Sequence, residues 1–317
     1  MIVDLLKLMR PGHWVKNLAV VAGPMFALRA DAESLRRTAL VFAAFCLASS
    51  ATYTFNDLLD RHADALHVTK KNRPIASGRV TPLAAVGLAI LLLAGSVWVG
   101  VSTLPPRCAL LVIAYLLMNL AYSLALKHRL ILDVIMIAIG FVLRAAAGAA
   151  AIEVFVSPWL IVCTFTLCLF LGFGKRRCEI GMFDTLEEAG EHRATLRRYT
   201  PELLSHLISV SAGIAIMTFL LYTMDKDPQN APPFNKHHLL YTIPLVVYGV
   251  FRYAMVIQTG TRHGPTDILL RDRPFLGAIF IWTVMVLAIM TEKHWVGRLG
   301  LDRLLESRIS TGAVETG

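Results

Sequence analysis

Runs of apolar residues, each close to the length that crosses a bilayer as a helix, recur along this sequence. Nine such runs lie near 14–29, 39–55, 82–102, 106–126, 131–151, 157–173, 203–223, 239–258 and 275–291. Inside a bilayer the backbone polar groups must be satisfied internally, so runs of this length form helices. Only 17% of the residues are charged, which excludes an ordinary soluble domain. The sequence therefore predicts an all-α fold, a polytopic membrane helical bundle of about nine transmembrane helices.

The basic residues between the runs predict how the bundle sits in the membrane. Lys and Arg concentrate in the loops on the side of the N-terminus, which favours a cytoplasmic N-terminus in the inner membrane. The longest polar loops, 56–81 and 174–202, then both face the cytoplasm and cap one cavity. We expect residues 1–291 to form a single catalytic domain. The tail, 292–317, has a Leu-rich start typical of an interfacial helix, and we expect disorder after it.

The charge balance and the cysteines exclude several other classes of protein. Basic residues outnumber acidic ones, 31 to 22, but no basic stretch carries the interleaved aromatics that would indicate a nucleic-acid partner. The five cysteines lack a C-x-x-C pair and lie mostly within apolar runs, which indicates packing and not zinc binding. The first ten residues carry charges at Asp4, Lys7 and Arg10 and lack a small-residue cleavage pattern, so no cleaved signal peptide is expected. The cations are therefore interpreted as topology signals and as ligands for anions.

A cluster of oxygen-bearing side chains follows the second apolar run. On a continuous helix Asn56, Asp57, Asp60 and Asp64 would share an arc of about 100°. Carboxylates so placed suit a Mg²⁺ ion that is held together with substrate phosphates. The alternative is a solvated helix end, but ionisable groups that continue a membrane span indicate a functional site by default. We predict a metal site formed by all four side chains, in which Asp57 and Asp60 are catalytic.

Cations that follow the acids are candidate ligands for phosphate. Lys70, Lys71 and Arg73 lie within one loop of the carboxylates, and a site with metal and bases together suits a diphosphate. The positive-inside rule alone would explain these charges, but not their place beside the acids. Tyr122 and Lys127 end the fourth run at the same predicted face, where the alternative for Lys127 is snorkelling to the headgroups. We predict that all five bind substrate.

A second basic group opens the loop after the sixth run. Lys175, Arg176 and Arg177 are adjacent and are followed by Glu179. Three consecutive bases exceed what membrane topology needs, and they suit a phosphate-bearing ligand near the membrane plane. We predict that this group, Glu179 included, contributes to substrate binding.

Four further polar residues lie within or at the ends of predicted spans. Arg144 and Arg252 are costly inside a membrane, so each should face a polar cavity or a partner. Arg252 lies near the cytoplasmic end of its run and could reach the same site, whereas a structural partner is an equal alternative for Arg144. Lys16 and Asn17 lie on the first run at the same face. These four are predicted as substrate-binding residues.

The motifs together resemble the UbiA superfamily of intramembrane prenyltransferases. The matching patterns are N-D-x-x-D-x-x-x-D at 56–64, K-x-R-P at 71–74, and a Tyr and a Lys at the end of the fourth run. The resemblance covers essentially the whole chain. It implies a helical bundle around a central cavity, Mg²⁺ held by the aspartate motif, and transfer of a group away from a diphosphate.

One departure from the superfamily pattern points to a particular branch of it. Most members carry a second D-x-x-x-D after the sixth span, where this chain has the basic group at 175–177. With R-P-G-H-W-V-K-N at 10–17 and Arg252-Tyr253, the chain resembles the branch that transfers phosphoribose. That branch implies 5-phosphoribosyl 1-diphosphate as donor, a polyprenyl (decaprenyl) phosphate as acceptor and release of diphosphate, on the route to cell-wall arabinan.

Two other functions stay open on the sequence. A prenyltransferase that uses a polyprenyl diphosphate and an aromatic acceptor shares the first acidic motif, but is expected to carry the second. A cation-coupled transporter would place its ionisable site near the bilayer midplane, whereas the cluster at 56–64 emerges at one face. The sequence also leaves a homo-oligomer open.

Overall fold

The computed structural model describes residues 2–67, 70–183, 185, 190, 195–225, 232–258, 271–293 and 295. Within these ranges the chain is helical and has no β-strand, which confirms the predicted all-α class. The helices are α1 Ile2–Met9, α2 Ala22–Phe26, α3 Ala32–Leu59, α4 Arg61–Leu66, α5 Pro82–Thr103, α6 Pro106–Leu124, α7 Leu132–Ala151, α8 Pro158–Gly181, α9 Pro201–Met224, α10 Ile243–Gln258 and α11 Arg273–Met290. Shorter 3₁₀ segments cover Pro11–Val21, Lys70–Asn72, Leu126–His128, Leu196–Arg198 and Lys236–Thr242.

Eight helical stretches in these ranges are long and apolar enough to cross a membrane. They are α3, α5 to α9, α11, and α10 together with the 3₁₀ segment that precedes it. Large apolar side chains lie on their outer surfaces; Leu83 and Trp98 of α5 are 82% and 68% exposed. Exposed apolar surface of this extent is expected where helices face lipid. The chain is therefore a multi-pass membrane protein, as the apolar runs predicted.

The first predicted run, 14–29, is not a continuous α-helix. Its residues fall in the 3₁₀ segment Pro11–Val21 and the short helix α2, which contains Gly23 and Pro24. A 3₁₀ helix rises about 2.0 Å per residue, so the 11 residues of this segment cover about 22 Å. The five residues of α2 add about 7.5 Å. The two pieces together approach the roughly 30 Å of a bilayer's hydrocarbon core.

Contacts with α3 show that the 3₁₀ segment runs antiparallel to that helix. At one end Arg10 contacts Asp57, and further along Asn17 donates a hydrogen bond to Cys46 Sγ at 3.3 Å. The chain thus travels along α3 from its last turn toward its first. We infer that this segment makes a ninth crossing with fewer residues, because its helix is more extended.

Small residues on α7 and α2 allow the 3₁₀ segment and α2 to pack their backbones closely against the backbone of α7. A Cβ atom added at Gly148 would lie 1.8 Å from the carbonyl oxygen of Val20. A Cβ atom added at Gly23 would lie 2.7 Å from the backbone of Ala149. Membrane helices commonly associate through small residues of this kind, because close approach gives the van der Waals contact that holds them together.

Two clusters of buried side chains form the core of the bundle. The first joins α3, α6 and α7 and includes Phe45 and Tyr115, whose rings pack edge to face. The second joins α8, α9 and α10 and includes Phe170 and Tyr253. Helix α7 contributes side chains to both clusters. It therefore links the first and second halves of the described chain.

The packing brings the C-terminal ends of α3, α6 and α8 to one end of the bundle. Lys127, just after α6, contacts Asp60 at the end of α3. Lys175, in the last turns of α8, is close enough for its charge to act on His13 of the 3₁₀ segment. That segment also starts at this end, since Arg10 contacts Asp57. The predicted functional residues from distant parts of the sequence can therefore meet here.

Candidate active site

The acidic stretch spans a break between two helices. Asn56 and Asp57 lie in the last turn of α3, Asp60 lies at the junction, and Asp64 belongs to α4. Asp57 and Asp64 are 3% and 4% exposed. Asn56 donates a hydrogen bond from Nδ2 to Asp60 Oδ2 at 3.0 Å. The four side chains fall into two pairs, Asn56 with Asp60 and Asp57 with Asp64.

Each pair converges on one basic nitrogen. Arg73 Nη1 lies 3.0 Å from Asp57 Oδ1 and 2.7 Å from Asp64 Oδ2. Lys127 Nζ lies 2.6 Å from Asp60 Oδ1 and 3.2 Å from Asn56 Oδ1. The structure therefore brings the predicted residues Arg73 and Lys127 to the acids from loop 56–81 and from the end of α6.

Arg10 is a third cation in this cluster and was missing from the residues that sequence reasoning selected. Its Nη2 lies 2.6 Å from Asp57 Oδ1, and its guanidinium lies over the ring of Tyr53, 5.2 Å from the centroid. Arg10 has a positive φ of 51°, which is uncommon for a residue other than glycine. Its position beside Pro11, at the predicted membrane face of the acids, was the available signal.

The donors of this cluster fit a hard divalent cation. Carboxylate and amide oxygens of Asn56, Asp57, Asp60 and Asp64 are the ligand type that Mg²⁺ takes. In each pair two of these oxygens already lie within reach of a single positive atom. Across the described ranges, however, three or more acids, histidines or cysteines are nowhere gathered into a ready metal cluster. A metal would therefore have to take the place of Arg73 or Lys127.

A second cationic group lies where the 3₁₀ segment meets the end of α8. The positive charges of Lys16, Arg10 and Lys175 all lie close enough to act on His13. Lys175 is 57% exposed and lies 3.7 Å from Glu179. The predicted residues Lys16 and Lys175 thus come together, 159 positions apart in the sequence (16 to 175).

The three adjacent bases of α8 have different surroundings. Arg176 is 2% exposed, and its Nε donates to Asp133 Oδ2 at 3.0 Å, while Nη1 contacts Glu179. Tyr199 donates from its hydroxyl to Asp133 Oδ1 at 2.8 Å. Burial raises the pKa of Tyr199, and the adjacent Asp133 carboxylate raises it further. Arg176 therefore joins α8 to α7 through a buried ion pair.

Arg177 differs from Lys175 and Arg176, since its Nε is buried and has no hydrogen-bond partner among the residues that the structure describes. Of the three bases, Lys175 is the one that the structure places beside other cations of the candidate site. The sequence suggested one uniform basic group, but a helix turns successive side chains in different directions. Each base therefore meets a different environment.

Arg144 and Asn17 bind each other inside the bundle. Arg144 is 5% exposed; its Nε donates to Asn17 Oδ1 at 2.8 Å and its Nη2 to the Tyr115 hydroxyl at 2.7 Å. Asn17 is fully buried and donates from Nδ2 to Ser49 Oγ and Cys46 Sγ, both at 3.3 Å. This network fastens the 3₁₀ segment to α3, α6 and α7, which is the structural alternative that the sequence left open for Arg144.

The remaining predicted residues are Arg252, Lys70, Lys71 and Tyr122. Arg252 makes a two-pronged contact with Asp272, with Nη2 at 2.8 Å from Oδ2, and this pair ties α10 to the start of α11. Lys70 and Lys71 lie in the 3₁₀ turn before Arg73, and Lys71 is exposed. Tyr122 of α6 is close enough to interact electrostatically with Tyr53 and Arg176. Within the described ranges, the contacts of Arg252 lie at Asp272 and not at the acids of 57–64.

Part of the predicted site lies outside the described residues. It includes Asp184, Glu187, Glu188 and Glu191 of loop 174–202, which is one of the two loops predicted to cap the cavity. The tail beyond residue 295 is also outside it.

The family is decided by a match to the model of the UbiA prenyltransferase family over residues 17–266. The chain belongs to the UbiA prenyltransferase family. Decaprenyl-phosphate phosphoribosyltransferase of Mycobacterium tuberculosis is 32% identical over 291 residues, which cover 90% of this chain and 94% of that protein. The protein of the same name from Mycolicibacterium smegmatis is 30% identical over 310 residues, 95% of this chain and 92% of that one. Family and relatives together make this chain a transferase enzyme.

A solved UbiA fold supports the architecture. A UbiA homolog from Archaeoglobus fulgidus, bound to DMAPP and Mg²⁺, matches 91% of this chain and 99% of its own with a TM-score of 0.68. The sequences are 18% identical, so the likeness concerns the fold. The UbiA fold expected from the motifs is thereby confirmed.

Proposed function

We propose that this UbiA protein transfers 5-phosphoribose from 5-phosphoribosyl 1-diphosphate to a polyprenyl (decaprenyl) phosphate and releases diphosphate. The observation that carries the proposal is the alternation of charge at one end of the bundle. Asp57, Asp60 and Asp64 lie in contact with three cations, and the second group around Lys16 and Lys175 lies nearby. Both proposed substrates carry phosphate, so such a site offers separate partners for the diphosphate, the sugar 5-phosphate and the lipid phosphate. The names of the relatives agree with it.

The acidic cluster is the proposed place for Mg²⁺. Asn56, Asp57, Asp60 and Asp64 would hold the ion, which when bound would neutralise charge that builds on the leaving diphosphate. The chain's own cations would also contact the oxygens of the leaving diphosphate, because Arg73 and Lys127 already lie beside the carboxylates. Charge-assisted contacts that strengthen as the leaving group gains charge stabilise the transition state more than the bound substrate.

The phosphate ends of the two substrates are proposed to bind around the acidic cluster. Lys16 and Lys175 suit one of them, because their positive charges lie close enough to act on each other. Further proposed substrate ligands are Asn17, Lys70, Lys71, Tyr122, Arg144, Arg176, Arg177, Glu179 and Arg252. A lipid phosphate monoester is already anionic near neutral pH, so its attack on the sugar needs no dedicated general base.

The proposal includes the setting of the reaction. The bundle lies in the inner membrane with its N-terminus and the acidic cluster toward the cytoplasm, where the soluble donor is available. The product would serve cell-wall arabinan (arabinogalactan) synthesis. The distribution of basic residues supports this orientation.

The second candidate function is transfer of a prenyl group from a polyprenyl diphosphate to an aromatic acceptor. It is favoured by the solved fold relative, whose bound ligands are DMAPP and Mg²⁺. It is disfavoured by the basic residues at 175–177, where the superfamily pattern predicts acids.

Ligand-induced stabilisation separates the two functions. A ligand that binds only the native state raises the unfolding temperature by mass action. Detergent-purified protein with Mg²⁺ should be stabilised by 5-phosphoribosyl 1-diphosphate, and less by ribose 5-phosphate. Stabilisation by a polyprenyl diphosphate, with no response to millimolar 5-phosphoribosyl 1-diphosphate, would replace the first proposal by the second.

A further inference from the structure

The acids and bases at the end of α3 are balanced in number. Asp57, Asp60 and Asp64 contact three cations: Arg10, Arg73 and Lys127. The cations are 24%, 27% and 13% exposed, so they lie at the edge of the cluster and water or a ligand can reach them. The cluster as it stands attracts neither a lone cation nor a lone anion.

We infer that Arg10, Arg73 and Lys127 exchange partners during substrate binding: they hold the carboxylates before it and bind the diphosphate after it. The inference rests on the proposed function for the presence of a metal and a diphosphate. A divalent cation on the carboxylates displaces the bases, and the displaced bases then face the diphosphate, which needs positive partners. Each ligand therefore creates the site for the other.

Electrostatics determines the sign of this coupling. A metal that binds alone gives the cluster two excess positive charges. It also displaces bases from the carboxylates, and these bases find no new negative partner in the partly buried site. A diphosphate alone must compete with three carboxylates for the same bases. When both bind, their charges nearly cancel and every displaced group has a partner. Positive coupling of at least about tenfold follows, and linkage makes it equal in both directions.

Arg10 gains a role that the sequence did not assign to it. Its side chain reaches Asp57 from the start of the 3₁₀ segment, whereas Arg73 reaches Asp57 from the loop after α4. When Asp57 binds the metal, both guanidiniums are released together. Arg10 then becomes a ligand of the diphosphate, and its segment also carries Lys16 of the second cationic group.

The test measures metal binding directly, with Mn²⁺ as the probe and electron paramagnetic resonance as the readout. In the unsubstituted protein, inorganic diphosphate should tighten Mn²⁺ binding about tenfold or more, and Mn²⁺ should tighten diphosphate binding by the same factor. Independence of the two ligands would overturn the inference before any variant is made.

Two variants test the exchange itself, Lys127→Met and Arg10→Gln. Each removes a cation that competes with the metal, so Mn²⁺ should bind about threefold or more tightly without diphosphate. Each also removes a ligand of the diphosphate, which should bind about tenfold more weakly at saturating Mn²⁺. Opposite signs are the signature of exchange. A loss of both affinities indicates a structural role, and unchanged affinities indicate no role; either result would overturn the inference.

Arg79→Gln is the matched control, because Arg79 pairs with Asp4 at 3.5 Å and contacts none of the three carboxylates. Neither affinity should change in it. The choice of inorganic diphosphate keeps this inference separate from the identity of the donor. If the variants bind Mn²⁺ more tightly and diphosphate more weakly, but 5-phosphoribosyl 1-diphosphate does not bind, the proposed function fails and the exchange of partners stands. If that donor binds with Mg²⁺ and the signs are absent, the exchange fails alone.

Discussion

Two ion-pair clusters of this protein use the same residue types but lie in different environments. At the end of α3, Asp57 contacts Arg10 and Arg73, whose side chains are 24% and 27% exposed. Between α7 and α8, Asp133 contacts Arg176, and these side chains are 0% and 2% exposed. The distances are similar, 2.6 to 3.0 Å. Access to solvent, and not the contact itself, separates a cluster that can exchange partners from one that holds helices together.

The comparison has an energetic basis. Removing one partner of a buried ion pair leaves an uncompensated charge where water cannot enter, which costs about 3–5 kcal/mol. A cation at the edge of a cluster can turn to water or to a phosphate, so its loss affects stability far less. The same substitution is therefore expected to damage binding in one cluster and folding in the other.

The largest effect is expected at the carboxylates of the cluster at the end of α3. Asp57→Ala or Asp60→Ala should abolish Mg²⁺-dependent turnover and leave a folded protein, because these groups serve the metal. Turnover and gel filtration in detergent check both halves of the expectation. Activity retained at saturating Mg²⁺ in both variants would remove the metal assignment, and loss of folding would place these acids with the structural cluster.

The next effect is expected at Arg176. Arg176→Ala should destabilise the protein by about 3–5 kcal/mol, since Asp133 is left buried without its guanidinium. Thermal unfolding in detergent measures the change. Arg176→Ala, Asp133→Ala double substitution should recover part of the loss, because no charge is then left alone. A variant with unaltered stability but a raised KM would instead make Arg176 a substrate ligand.

Lys175 should behave in the opposite way to its neighbour. Lys175→Ala is expected to raise the apparent KM for donor or lipid phosphate more than tenfold, about the 1.4 kcal/mol of one charge-assisted contact. Its unfolding temperature should stay close to that of the unsubstituted protein, because Lys175 is 57% exposed. Unchanged kinetics would leave membrane topology as the explanation for this base.

The smallest effect concerns Arg252 and Asp272. The hydrogen bond from Arg252 lowers the pKa of Asp272 below its usual value of 3.8. This ion pair therefore contributes its full stabilisation of the folded protein above pH 3.8. The contribution is lost as the pH falls through the lowered pKa of Asp272. Arg252→Gln should reduce the unfolding temperature slightly at pH 7 and reduce it less at pH 3. A raised KM would bring Arg252 into the site.

The sequence indicated that positive groups lie against the acids, but it did not show how these groups are arranged. The spacing of Asn56, Asp57, Asp60 and Asp64 indicated a cation site, and the structure places positive groups against all of them. Spacing could not show that Arg73 contacts one pair of acids and Lys127 contacts the other pair. It also could not show that Arg10 reaches Asp57, since that contact joins residues 47 positions apart.

What the sequence by itself determined is the class of molecule, because membrane-length apolar runs force helices. The polar motifs at 56–64 and 71–74 predict a site at one end of these helices. Only the tertiary structure decided which charged side chains are buried and which are exposed to solvent. Arg176 and Lys175 are neighbours in a helix, yet one lies against α7 and the other beside the 3₁₀ segment. The physical reason is that burial depends on what packs against a side chain, and that packing comes from helices remote in sequence.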